Sequence, residues 1–197
     1  MDDGILACAD SLWRDGGRTE RIGGQPFAMS PASGRHVLIA GNIYRIFADY
    51  LRGKQCIAFP DNFLVHLTEK EHFIPDMMVV CDRSKIKKNW VEGAPDLVVE
   101  VSSPSTARRD LIHKRKVYGE CGVREYWIVD PKGETVSQYL LSDGELHPAD
   151  VLVQWHEEEG DLDNLDPRER AELRPSFHCS LFPDLEIRLD DIFENLY

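Results

Sequence analysis

Apolar positions along this chain gather in short runs, separated by glycine, proline and charged breaks. Asp96–Val101 is a run of aliphatic and β-branched residues closed by Ser102-Ser-Pro-Ser-Thr106, which predicts a strand that turns into a helix. Phe73–Cys81 predicts a further buried strand. Glu125–Asp130 is another, followed by the turn Pro131-Lys-Gly-Glu134 and a strand over Val136–Leu141. Cys56–Pro60 and Asn62–Leu67 read as shorter strands, with Thr68–His72 as a turn. Arg18–Met29 predicts a hairpin with Gly23-Gly24 as its two-residue turn. Phe177–Leu189 returns to strand, and Asp191–Tyr197 predicts a short terminal helix.

Helical spacing recurs in two places. From Ser33 to Arg52, Val37, Leu38, Gly41, Tyr44, Ile46, Phe47 and Leu51 predict the main packing helix. Ala107–Cys121 predicts a second helix, ending at Gly122 as its C-cap. On a helical wheel Asp110, Leu111, Lys114, Val117, Tyr118 and Cys121 share one arc, so Lys114 falls within an apolar stripe. Asp82–Gly93 reads as a charged loop with Trp90 covering an edge. Residues 1–17 show only a few apolar positions and predict no more than a short helix. The pattern is a single α/β (α+β) domain over residues 1–197, with mixed strands and few helices.

Composition narrows this picture. A chain of 197 residues suits one domain with a sizeable core. No apolar run is long enough to span a membrane, and Met1-Asp-Asp-Gly lacks the features of a secretion signal. The five cysteines are odd in number and scattered, which predicts reduced thiols in a cytoplasmic protein. A net charge of -12 argues against passive coating of nucleic acid. Half of that charge lies in an acidic excursion between Trp155 and Glu172, where eight acids face two arginines. The rest of the chain is only mildly acidic, so a nucleic-acid enzyme is not excluded.

Candidate chemistry begins with acids in apolar runs. Glu100 sits inside a strand that folding alone would leave apolar, and a buried carboxylate needs a cation or a metal. Side chains alternate along a strand, so Asp96, Val98, Glu100 and Ser102 share one face, as do Asp76, Met78 and Val80. Asp96 and Glu100 are roughly 13 Å apart at the usual rise and do not share one ion. Asp96 is most simply a turn or capping residue. Asp76 follows Pro75, which suits a turn role equally; on a neighbouring strand it could instead meet Glu100 across a sheet, where two carboxylates would suit Mg²⁺ or Mn²⁺. Lys114 either pairs with Asp110 one turn away or reaches the Glu100 site, where it would orient water or stabilise phosphate charge.

Several motifs occur in a fixed order: Ile74-Pro-Asp-Met-Met-Val-Val80, Gly93-Ala-Pro-Asp-Leu-Val-Val-Glu-Val-Ser-Ser-Pro-Ser-Thr106, Asp110-x-x-x-Lys114-x-x-x-Tyr118, and Gly122-Val-Arg-Glu-Tyr-Trp-Ile-Val-Asp-Pro131. Together they resemble the Uma family of restriction-endonuclease-like proteins, from about Glu20 to the C-terminus, excluding the acidic excursion. The resemblance implies a PD-(D/E)xK nuclease core, a mixed central sheet flanked by helices, with a divalent metal at its acids. Asp76 then matches the first acid and Glu100 the second. Ser102 stands where the general pattern has lysine, and Lys114 matches the family's helix lysine. Glu20 matches an N-terminal glutamate that would be a further ligand, although Gln25 replaces the second acid of that stretch. His36 matches a histidine near the start of the first long helix, and is equally explained as a helix-start polar residue. Ser102–Thr106 would either meet phosphate or cap the helix.

The expected activity is metal-dependent hydrolysis of DNA phosphodiester bonds, with Mg²⁺ or Mn²⁺ on Asp76, Glu100 and Glu20 and with Lys114 beside the water. A homodimer would suit a double-strand cut. The rivals are a non-catalytic binding protein that keeps the fold, and an acid-pair glycosidase using Asp76 and Glu100.

Overall fold

A computed structural model describes residues 18–103, 107–156, 166 and 174–197. The short helix expected within residues 1–17 lies outside the described residues, as does nearly all of the acidic excursion. The architecture is mixed α+β, with two principal sheets and few helices.

The chain enters through a hairpin, β1 (Thr19–Ile22) and β2 (Gln25–Ala28). Gly23 and Gly24 turn it with φ of 58° and 85°, a left-handed pair that glycine adopts without strain. Helix α1 (Gly34–Tyr50) starts at Ser33, whose hydroxyl accepts the His36 N–H at 3.3 Å. Its buried face is Ile39, Ala40, Ile43 and Phe47, with Leu51 buried at the C-cap, so Phe47 and Leu51 of the predicted set hold and Ile39, Ala40 and Ile43 join them. Val37 is 58 % exposed.

Strands β3 (Ile57–Pro60), β4 (Leu64–Thr68), β5 (Glu71–Phe73) and β6 (Met77–Val80) follow. The expected strand Phe73–Cys81 is thus two strands in two different sheets. Pro75 between them has no N–H to give a ladder, and the chain changes sheets there. Asp82–Gly93 is not simply a loop. Trp90–Glu92 forms β7, which pairs parallel to β4, and Trp90 is buried.

Strand β8 (Leu97–Val101) leads through a π-helical turn (Arg109–Lys114) into α2 (Arg115–Cys121) and then β9 (Glu125–Asp130), parallel to β8. Gly122 ends α2 with φ of 93°. Strands β10 (Thr135–Ser142) and β11 (Glu145–Val153) complete the sheet. β11 carried no strand signal because Pro148 and charged residues interrupt it, which an edge strand tolerates. The expected strand Phe177–Leu189 is a hairpin, β12 (Ser176–Cys179) with β13 (Phe182–Arg188), and the helix expected over Asp191–Tyr197 is a single turn that starts earlier, α3 (Leu189–Ile192).

One sheet runs β2-β1-β5-β4-β7 and the other β11-β10-β9-β8-β6-β3. Alternation along β6 and β8 divides the core in two. Met77, Val79, Leu97, Val99 and Val101 pack with α1, the β12–β13 hairpin and α3. Met78, Val80 and Val98 face Tyr118 of α2 and the first sheet. Asp76 and Glu100 belong to this second face.

A second buried acid ties the layers. Glu125 is fully buried and accepts the Trp127 indole N–H at 2.6 Å, the Gln138 amide at 3.1 Å and the Ser180 N–H at 2.8 Å. These bonds satisfy the charge and fasten the terminal hairpin to the central sheet.

Cys56 and Cys81 correct the expectation of reduced thiols, since they are joined as a disulfide. Antiparallel pairing of Ile57 with Val80 places the two cysteines opposite one another just beyond the paired strands. Thiol titration of the denatured protein should therefore find two fewer groups before reduction than after. Reduction should cost about 3 kcal/mol of stability by denaturant unfolding. Equal titration with and without reductant would remove the crosslink.

His72 on β5 is buried with its ring 4.5 Å from that of His66. Burial, then the charges of His66 and Arg21, hold its pKa down to about 4. Between the ordinary histidine value and that one, the unfolded chain takes up a proton that the fold refuses. Stability should fall as pH drops from 7 toward 4.5, more steeply in wild type than in His72→Asn, by urea midpoints across that window.

Candidate active site

Antiparallel pairing of β6 and β8 sets Met77 opposite Val99 and Met78 opposite Val98. Continued by one residue, the same register puts Asp76 opposite Glu100. The main chain confirms the proximity, because Asp76 Oδ2 accepts the Val101 N–H at 2.7 Å. Its other oxygen, Oδ1, is 2.8 Å from His36 Nε2 at the start of α1.

Glu100 lies 4 % exposed on the opposite strand. Its Oε1 accepts from Lys114 Nζ at 2.9 Å and from the Tyr118 hydroxyl at 2.8 Å. Lys114 reaches there because the π-helical turn and α2 cross the face of β8 and bury Asp110, Lys114, Val117 and Tyr118. The inward turn of Lys114 read from the wheel holds, whereas Leu111 of the same arc is 41 % exposed. The wider spacing of the π turn accounts for this difference, since it rotates residues away from α-helical phase.

Lys114 Nζ also stands 2.9 Å from Glu20 Oε1 of β1 and 3.8 Å from Asp110 Oδ1. Both readings of the lysine are therefore realised, the pair within its helix and the reach to Glu100. Glu20 is 1 % exposed and accepts the Ile74 N–H at 3.0 Å. Arg109 Nη1 lies 3.8 Å from its other oxygen. One ammonium thus joins three carboxylates from three elements.

Glu20, Asp76, Glu100 and Asp110 all line a cleft of about 730 Å³, together with Ser33, His36, Ser102, Arg109 and Lys114. No Phe, Tyr or Trp is among the described residues that line it. Three acids meet one lysine at its heart, with Asp76 on the neighbouring strand. Burial pushes the Glu100 carboxyl well above its ordinary value; Lys114 opposes that, and Asp110, Asp76 and Glu20 reinforce it. Burial alone would lower Lys114, but the charges of Glu100, Glu20 and Asp110 outweigh it and keep the ammonium. His36 is likewise raised, because its bond to Asp76 overcomes the effect of burial.

Of the residues predicted from sequence, Asp76, Glu100, Lys114 and Glu20 converge. Asp96 caps instead: its Oδ2 accepts the Cys81 N–H at 2.7 Å. Ser102 is buried and lines the cleft, while the remainder of its motif, residues 104–106, lies outside the described residues. Tyr118 and Arg109 were not singled out. The regular spacing Asp110, Lys114, Tyr118 carried the signal for Tyr118, and nothing local marked Arg109.

The donor set is all oxygen, which suits a hard divalent ion. No three acid, histidine or cysteine side chains among the described residues already stand as an ion-holding group. Mg²⁺ is commonly held by one or two carboxylates plus waters and substrate phosphate, so a preformed cage is not required. Carboxylates outnumber cations along the cleft, and Glu100 is driven toward protonation by burial and then by Asp110, Asp76 and Glu20, which fits such an ion.

A mixed-sheet fold with an acid pair and a lysine at one strand end is nuclease-like. Residues 10–170 match the Uma2 family, described as "Putative restriction endonuclease", and the chain belongs to that family. Among curated proteins, "Uncharacterized protein slr1290" of Synechocystis is 28 % identical over 126 residues, covering 63 % of this chain and 66 % of that one. The match therefore spans slightly less than two thirds of that relative. Among solved structures, a "putative nuclease belonging to DUF820" from Anabaena variabilis superposes with a TM-score of 0.66. That likeness covers 90 % of each chain at 17 % identity, and establishes shared fold.

Lys114→Met should leave Glu20, Glu100 and Asp110 without their common cation. We expect a loss of about 3–5 kcal/mol by urea unfolding, the range for breaking a buried pair. Adding Glu100→Gln should recover part of it. A Lys114→Met protein as stable as wild type would show that the ammonium does not hold these elements together.

Proposed function

We propose that the chain is a metal-dependent endonuclease that hydrolyses DNA phosphodiester bonds. The observation that carries this reading is the convergence of Asp76, Glu100 and Lys114 at one cleft, from two strands and a helix. The family and the nuclease-like fold support it.

Asp76 and Glu100 would hold Mg²⁺ or Mn²⁺, with Glu20 close enough to complete the sphere. Such an ion supplies Lewis acidity to the phosphoryl oxygen and a more acidic water. The chain's own residues do the rest. His36 and the Val101 N–H fix the two oxygens of Asp76, so its carboxylate faces the cleft in one orientation. Tyr118 does the same for Glu100 from inside the core. Lys114 retains its proton, so it acts through charge: it orients the attacking water or stabilises the negative charge that develops on phosphate. Burial of the acids lowers the local dielectric, which strengthens each of these interactions.

A non-catalytic binding role is the second reading, favoured by one observation. Lys114 already bridges Glu20 and Glu100, the position in which a cation would otherwise sit.

Thermal unfolding with and without Mn²⁺ separates the two. Under the nuclease reading Mn²⁺ raises the melting temperature of wild type, by mass action on the folded state, and leaves Glu100→Gln unmoved. Wild type should then nick supercoiled plasmid, while Asp76→Asn and Glu100→Gln lose at least 100-fold of that rate (on the order of the 2.7–4 kcal/mol lost with a key transition-state group). Absence of any Mn²⁺ response up to millimolar concentration would favour the binding role.

A further inference from the structure

One exposed aromatic stands beside the acids, outside the apolar clusters of the described residues. Pairing of β1 with β2 sets Phe27 directly opposite Glu20. Directly opposed residues project from the same face of a hairpin, so Phe27 flanks the carboxylate that Lys114 holds. Glu20 is buried, yet Phe27 is 40 % exposed and every residue of β2 is solvent-facing. Among the described residues Phe27 belongs to none of the apolar clusters.

Arg109 links this ring to the cleft. Its guanidinium lies 5.3 Å from the Phe27 centroid, and its Nη1 is 3.8 Å from Glu20 Oε2. The same arginine lines the cleft, as does the exposed Leu111 two residues on. The lip therefore presents an aromatic face and a positive charge side by side, next to the acids.

We propose that Phe27 and Arg109 form a shelf on which an unpaired base stacks while the adjacent phosphate lies at the acids, so that the site prefers single-stranded DNA. The choice of a DNA strand rests on the nuclease reading. In a duplex, neighbouring bases cover each base's π-face, so only an unpaired base can lie on the ring. Stacking on an aromatic side chain with a cation nearby is the usual way to grip single strands without reading their sequence. The arginine also supplies the charge that this acidic cleft needs to admit a phosphate.

The test uses the full chain and a single-stranded DNA oligonucleotide carrying one 2-aminopurine, with the same strand in a duplex for comparison. Binding is measured in EDTA, so that cutting does not consume the probe. The shelf predicts fluorescence quenching on binding and affinity about tenfold tighter for the single strand, in keeping with the strength of one base–aromatic stack. Phe27→Ala should lose the quench and about tenfold in affinity, with an unchanged melting curve, and Phe27→Trp should keep both. Arg109→Ala should weaken binding and flatten its salt dependence.

Equal affinity for duplex and single strand would overturn the shelf, and so would a Phe27→Ala protein that binds and quenches like wild type. If Phe27→Ala changes only the protein's own association in sedimentation, the face is a contact between copies and the shelf is overturned. A chain that cuts DNA without a Phe27-dependent quench loses the shelf alone. One that quenches without cutting supports the shelf and loses the nuclease reading.

Discussion

The ammonium of Lys114 is the contact on which the site and much of the fold depend. It lies 2.9 Å from Glu20 on β1 and 2.9 Å from Glu100 on β8, while its own backbone belongs to the turn that joins β8 to α2. One buried charge therefore links the two sheets across the apolar layer that packs between them. Each carboxylate alone would be costly to bury, and each becomes tolerable because the other partners fix the lysine in place. Glu20 and Tyr118 show how completely the pair is enclosed: one adds a main-chain bond from Ile74, the other a hydroxyl from the core.

That arrangement has a surplus. Six acids line the cleft against two lysines and two arginines, and Glu100 is raised first by burial and then by Asp110, Asp76 and Glu20, beyond what Lys114 offsets. A fold selected only for stability would have little use for this imbalance, since an apolar residue at position 100 would fit the strand as well. Functional sites are where such local conflicts with folding concentrate. Glu125 makes the contrast. It is equally buried on the neighbouring strand, but indole, amide, hydroxyl and main-chain donors satisfy it, and it does not line the cleft. The difference between a structural and a candidate catalytic acid is here a difference in what surrounds it.

Much of the site was legible from alternation alone. Asp76 and Glu100 each sat on the strand face that also carries core residues, and the register of β6 against β8 brings them opposite one another as that pattern required. The wheel turned Lys114 inward although the segment around it is a π turn, because four residues of separation keep Asp110, Lys114 and Tyr118 on one side. Glu20, His36 and their partners were less legible. Glu20 came from resemblance, and Arg109 had no local mark, because its importance comes from neighbours distant in sequence.

By itself the amino-acid sequence determined the strands and helices whose periodicity is local: the Gly23-Gly24 hairpin, the buried run from Leu97 to Val101, and the helix ended by Gly122. It also determined which acids lay in apolar company. Only the tertiary structure decided where a run breaks between sheets, as at Pro75, and that Trp90 belongs to a strand rather than a loop. Tertiary structure alone also joined Cys56 to Cys81, and set Phe27 beside Glu20 and Arg109. The physical reason is the range of the interactions: propensity and alternation act over a few residues, whereas pairing register, disulfide bonding and the sharing of one cation depend on segments that meet only after folding.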